Sequence, residues 1–168
     1  HRHRIERDDD GSMFHHHEVV VPDDLDDLSR IGITIELGRG FDRVRWYWLG
    51  PLENYPDSNR GAVLRVWDNE VDEPPYLVPQ EFGLRTDCRW FEFIDPTTNR
   101  VVRLDPIEPS TLHVSATRFG VDDLYAAAHE TDLRPRRTLL VHADVAHRGL
   151  GTASCGPDVL DRYRITPG

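Results

Sequence analysis

The chain of 168 residues contains no lysine, so all 20 of its basic residues are arginine. Acidic residues number 30, with Asp well ahead of Glu, and the formal net charge is −10. GC-rich coding is the first account of the missing lysine, and adaptation to high salt the second. A balance this acidic lacks the basic patch that a phosphate backbone requires, so no nucleic-acid partner is expected. Neutral ligands such as sugars stay open. No stretch approaches the ~20 apolar residues that span a bilayer, and no membrane partner is expected either. The first residues, "HRHRIERDDDGS", have none of the apolar core of a secretory leader. Cysteine is scarce: Cys88 and Cys155 match no metal spacing and make no disulfide framework. Free thiols and a cytoplasmic location are the expectation. Also missing are a Gly-x-Ser-x-Gly elbow, a phosphate-binding loop and a dinucleotide fingerprint.

What is present is mostly strand. "MFHHHEVVVP" (13–22), "RIGITIEL" (30–37), "RVRWYWL" (43–49), "GAVLRVW" (61–67), "CRWFEFID" (88–95), "RVVRLD" (100–105), "STLHVSATRF" (110–119) and "RTLLVHADV" (137–145) are short and rich in β-branched or aromatic residues. In "RIGITIEL" the apolar Ile31, Ile33, Ile35 and Leu37 alternate with Gly32, Thr34 and Glu36, the pattern of a strand with one wet face. "DPTTNR" (95–100) reads as a hairpin loop. One helix is expected over Val121–Leu133, capped by Asp122 or Asp123 and fed by three consecutive alanines. The resulting class is all-β, an antiparallel sandwich with one short crossover helix, and residues 1–168 are expected to form a single domain. The first residue is not Met, and the opening residues are already strand-like. A fragment or subunit of a larger protein is therefore expected.

Candidate chemistry is thin. In "HHH" (15–17) alternation lets only His15 and His17 share an ion, and no Cys or Asp stands beside them at ligand spacing. Packed or solvated strand histidines are the simpler account, so no metal is expected; His1 and His3 are expected to be disordered. Glycoside hydrolysis needs two carboxylates held ~5 to 9 Å apart, and nothing local fixes any two of Glu53, Glu81 and Glu92 so. Trp46, Trp48 and Trp67 offer possible sugar platforms, although core packing is the commoner use of such rings.

In combination, "RIGITIEL", "WLGPLENYPDSNRGAVLRVWD", "PYLVPQEFGLRTDCRWFEF", "LHVSATRF" and "HRGLGTASCGPDVLDRYRI" resemble the carboxy-terminal domain of family 2 β-galactosidases, over roughly residues 4–165. The resemblance implies the later part of a galactose-mutarotase-like super-sandwich. It implies that the family's two catalytic glutamates lie in a separate barrel, outside this chain. Glu53, Asn54 and Tyr55 then become structural residues of a family loop. Cys155 falls where several members place a tryptophan against the bound sugar, which marks it as the substrate-binding candidate. Here Ser58 and Asn59 separate Asp57 from Arg60, a departure from the family's directly adjacent pair, and Arg60 is expected to replace the lost contact. Implied partners are the remaining domains or large subunit, a galactoside such as lactose, and further copies in a homo-oligomer. Mg²⁺ and Na⁺ are implied for the whole enzyme and no cofactor for this chain. Two alternatives stand beside this reading. One is a carbohydrate-binding module using its tryptophans. The other is a mutarotase-like epimerase, which needs a His and a Glu on either side of a sugar ring, here His142 or His147 with Glu81.

Overall fold

The computed structural model describes residues 1–25, 27–71, 77, 81–152 and 155–166. These form ten strands, all paired antiparallel, and one short α-helix. Two compact units emerge: His1–Leu28 with Thr166, and Ser29–Ile165.

The first unit is a two-stranded ribbon of β1 (Arg2–Arg7) and β2 (Met13–Glu18). "DDDGS" turns the chain between them: Asp8 N–H donates to Ser12 O at 2.9 Å, and Gly11 N–H to Asp8 O at 3.1 Å. His3, expected to be disordered, lies inside β1 directly opposite His17. Pairing with β2 satisfies its backbone, which the sequence of a terminus does not reveal.

The second unit is a sandwich of two four-stranded sheets. One has the order β3 (Arg30–Leu37), β10 (Leu139–His147), β9 (Leu112–Thr117), β6 (Arg85–Cys88); the other runs β5 (Val63–Glu70), β4 (Arg43–Gly50), β7 (Trp90–Asp95), β8 (Arg100–Leu104). Alternation builds the shared core. Val44 and Trp46 of β4 and Phe91 and Phe93 of β7 meet Val114 of β9 and Leu139 and Val141 of β10. Trp46, at 0% exposed, is the largest buried side chain; its ring stacks on Phe91 and its Nε1–H donates to Leu49 O at 2.9 Å.

Two expected elements are divided. The run 88–95 splits because Cys88 pairs with Leu112 in one sheet while Trp90 pairs with Tyr47 in the other. The chain switches sheets at Arg89, a corner that composition does not announce. The expected helix becomes α1 (Val121–Ala126) and a 3₁₀ turn over Glu130–Asp132. Leu124 and Leu133 both pack with Phe82 in a small second core. At 100° per residue a continuous helix would set these two leucines ~180° apart, so the break is what lets both reach Phe82. The N-cap is Gly120, not an aspartate. Asp123 reaches back from the third helical position to accept the Gly120 N–H at 2.9 Å, and also accepts from Arg136 at 2.8 Å. Strand β2 ends at Glu18, short of Pro22.

Candidate functional site

The loop that follows β4 lies against the start of β6. Gly50 is flat against two indoles: a Cβ there would come within 2.6 Å of the Trp67 ring and 2.9 Å of Trp46. From this pivot Glu53, Asn54 and Tyr55 face the segment 83–86. Gly83 N–H donates to Glu53 Oε2 at 2.6 Å. Asn54 N–H donates to Leu84 O at 2.8 Å, while its Oδ1 accepts from the Thr86 N–H at 3.1 Å and from the Thr86 hydroxyl. Its amide reaches Leu52 O at 3.3 Å. Asn54 thus stitches loop to strand from both sides of its amide group. Tyr55 is 4% exposed, with its ring 5.9 Å from that of His147 and no partner for Oη among the described residues. Burial, with Glu81 and Glu53 nearby, holds its phenol well above the ordinary tyrosine range.

Asp57, further along this loop, makes a contact that its sequence neighbours do not signal. Its two carboxylate oxygens accept from Leu150 N–H at 3.1 Å and Gly151 N–H at 2.8 Å. Gly151 has φ +62°, and a Cβ on Gly149 would come within 2.6 Å of the Asp57 carboxylate, so glycine is required at both places. The motif loop therefore holds the Gly-rich loop by its backbone. Cys155 follows on that loop. It is exposed, and its N–H donates to Thr152 O at 2.9 Å, while Thr152 N–H and hydroxyl both bond Pro157 O. Ala153 and Ser154 lie outside the described residues. Arg60 is exposed and makes no ion pair among the described residues.

A second polar cluster gathers around Glu81. Arg30 donates from Nε and Nη2 to Asp144 Oδ2 at 3.0 and 2.8 Å, and its Nη1 lies 3.6 Å from Glu81 Oε2. His147 donates from Nδ1 to Arg148 O at 2.7 Å and turns Nε2 to within 3.7 Å of Glu81 Oε1. His142 bonds the Thr34 hydroxyl at 3.0 Å. Burial, then the charge of Arg30, lowers the His142 imidazolium to about 4; burial raises the Asp144 carboxyl and Arg30 partly offsets this. The cavity beside Arg30, Glu81, Ser115 and His142 offers ≈ 20 Å³ to the centre of a water molecule, room for a water and not for a hexose. Glu81 and His147 face each other directly, with no gap for a sugar ring between them.

The remaining candidates have partners of their own. Glu92 is held by Arg45 Nη2 at 2.6 Å and Arg103 Nη1 at 3.0 Å. Trp46 is sealed in the core. Guanidinium groups lie over one face each of Trp48 (Arg89, 5.0 Å) and Trp67 (Arg65, 4.9 Å).

The residues 2–168 match the family model described as the β-galactosidase small chain. Among curated proteins the chain is similar to a β-galactosidase of Aeromonas hydrophila, 34% identical over 99% of this chain and 16% of that protein. It is similar to one of Kluyveromyces lactis, 31% identical over 83% of this chain and 13% of that protein. A third, from Arthrobacter sp., is 30% identical over 83% of this chain and 14% of the relative. The chain thus spans 13 to 16% of the length of these relatives.

Proposed function

This chain belongs to the β-galactosidase small-chain family, and on that premise we propose that it serves as the small-chain segment of a larger β-galactosidase. The observation that carries this is the span of the match: nearly the whole chain aligns, yet to under one-fifth of each relative. The reaction is hydrolysis of terminal β-galactosides such as lactose, with the acid and nucleophile supplied by the enzyme's other part. The segment's work is to complete the substrate pocket and hold the assembly, in a cytoplasmic homo-oligomer whose Mg²⁺ and Na⁺ belong mainly to the rest of the enzyme. Supporting this division of labour, Glu53, Glu81 and Glu92 are each engaged by donors within this chain.

The test is complementation. The rest of the enzyme, produced without this segment, is expected to lose galactoside hydrolysis and to regain it when the chain is added. Full activity without the segment, or hydrolysis by the chain alone, overturns the proposal.

Within that assembly Cys155 contacts the substrate side of the pocket. Its exposure, and the anchoring of its loop through Asp57, support this role. A thiol lacks a ring face for stacking on sugar, so Cys155→Trp in the complete enzyme is expected to lower KM for lactose and reduce transfer to added acceptors. Unchanged KM and transfer would remove Cys155 from the pocket.

A further inference from the structure

The β1–β2 ribbon carries a row of imidazoles for which the β-galactosidase reading has no use. Because side chains alternate across an antiparallel pair, His1, His3, Ile5 and Arg7 share one face with Met13, His15 and His17. The opposite face holds the pairs Arg2–Glu18, Arg4–His16 and Glu6–Phe14. His3 stands directly across from His17, and His15 is its diagonal neighbour, near enough for ring contact. One donor nitrogen from each of these three histidines lies within 4.8 Å of the other two. His3 Nε2 is 3.1 Å from His15 Nδ1, and the rings of His3 and His17 stack with centroids 4.1 Å apart.

Hydrogen bonding accounts for only part of this arrangement. Neutral imidazoles can pair donor to acceptor, as His1 Nε2 does with His17 Nδ1 at 3.0 Å. That leaves His17 Nε2, which is shielded from solvent and has no partner among the described residues. A shielded polar nitrogen without a partner is unfavourable, because it has given up water and gained nothing in return. A cation among the three rings would give it one. Tetrahedral coordination with bonds of ~2.0–2.1 Å sets donor atoms ~3.3–3.4 Å apart; His3 Nε2 and His15 Nδ1 stand 3.1 Å apart, and all three donors lie within 4.8 Å of one another. The donors are all imidazole nitrogen, and neither carboxylate nor thiolate shares the face. Such a set suits Zn²⁺, Ni²⁺ or Cu²⁺ and is wrong for Mg²⁺ and Ca²⁺, which take oxygen.

We propose that His3, His15 and His17 form a binding site for a borderline divalent metal, Zn²⁺ or a close relative, with His1 orienting His17 through Nδ1. The metal links β1 to β2 by side chains. It thereby staples a two-stranded ribbon of a kind that is marginal by itself in water. His15 and His17 are visible in the sequence as a possible pair; the third ligand comes from strand register.

The experiment uses the full chain, free of any affinity tag and stripped with chelator, titrated with Zn²⁺ and with Co²⁺ as a spectroscopic substitute. Expected are saturable binding of one metal per chain, a tetrahedral cobalt spectrum, and slower amide exchange in residues 2–7 and 13–18 when metal is present. Excess Mg²⁺ is expected not to compete. His3→Ala and His15→Ala should each weaken affinity at least about tenfold, the loss that even outer-shell changes produce. His16→Ala, on the opposite face, should leave affinity unchanged. Circular dichroism of each variant checks that the fold is kept, and His3→Gln and His15→Gln replace any alanine variant that unfolds. Absence of saturable binding by the unmodified chain, or an equal loss from His16→Ala, overturns the proposal.

Discussion

Asp57 shows how much one carboxylate can organise. Two backbone N–H groups, of Leu150 and Gly151, end on its two oxygens, and the loop bearing Cys155 begins there. Asp57→Ala leaves both donors without acceptor and is expected to cost about 1–3 kcal/mol of stability. Hydrogen exchange should locate the damage: the Leu150 and Gly151 amides speed up while those of β10 do not. Uniform acceleration, or none, would show that the loop is held some other way. The two thiols contrast at the same scale. Cys88 is 1% exposed, and burial pushes its thiol well above the ordinary range, whereas Cys155 is exposed on its loop. Of the two, only Cys155 is placed to meet a ligand or reagent.

Strand β10 is the element that gathers ionisable groups. It pairs with β3 and β9 and carries the half-buried His142 and the buried Asp144 and His147. His142 is kept neutral mainly by burial, at about 4 against an ordinary 6.5. Between those two values the unfolded chain binds a proton at this residue that the folded chain refuses. Its contribution is therefore present above 6.5 and is lost as pH falls towards 4. Asp144, raised by burial, works in the opposite sense. Comparing melting temperatures of the chain and of His142→Gln across that window isolates the histidine: the variant is expected to lose less stability on acidification. Parallel curves would mean that His142 is not the group responsible.

For the molecule as a whole, the lysine-free composition has a structural counterpart. Arginine guanidiniums lie over Trp46, Trp48, Trp67 and Trp90, and Arg103 covers Trp90 while pairing with Glu92 and Asp105. A planar, delocalised cation can stack and bond in its own plane at once, which an ammonium cannot do. Elsewhere in the molecule the excess of acidic residues gives arginines carboxylate partners, as Asp144 does for Arg30, Asp68 for Arg43 and Asp158 for Arg148. The restored hydrolysis expected on complementation belongs to this scale too, since the chain is under one-fifth of the relatives it matches.

Strand β3 was legible to the residue, since Ile31 to Leu37 carry a strict period of two between Ser29-Arg30 and Gly38. The family was legible as well, through motifs whose order survives in one linear string. Nearest-neighbour chemistry is written locally, so a sequence can state it. The switch of sheets at Arg89 and the break that turns Leu124 and Leu133 to the same phenylalanine were not legible. Neither were the clasp of Asp57 on Gly151 or the arrival of His3 beside His15 and His17. Each joins residues that chain distance separates, and each depends on strand register and on which core a side chain enters. Packing sets those across the whole molecule at once, and no short window of residues contains them.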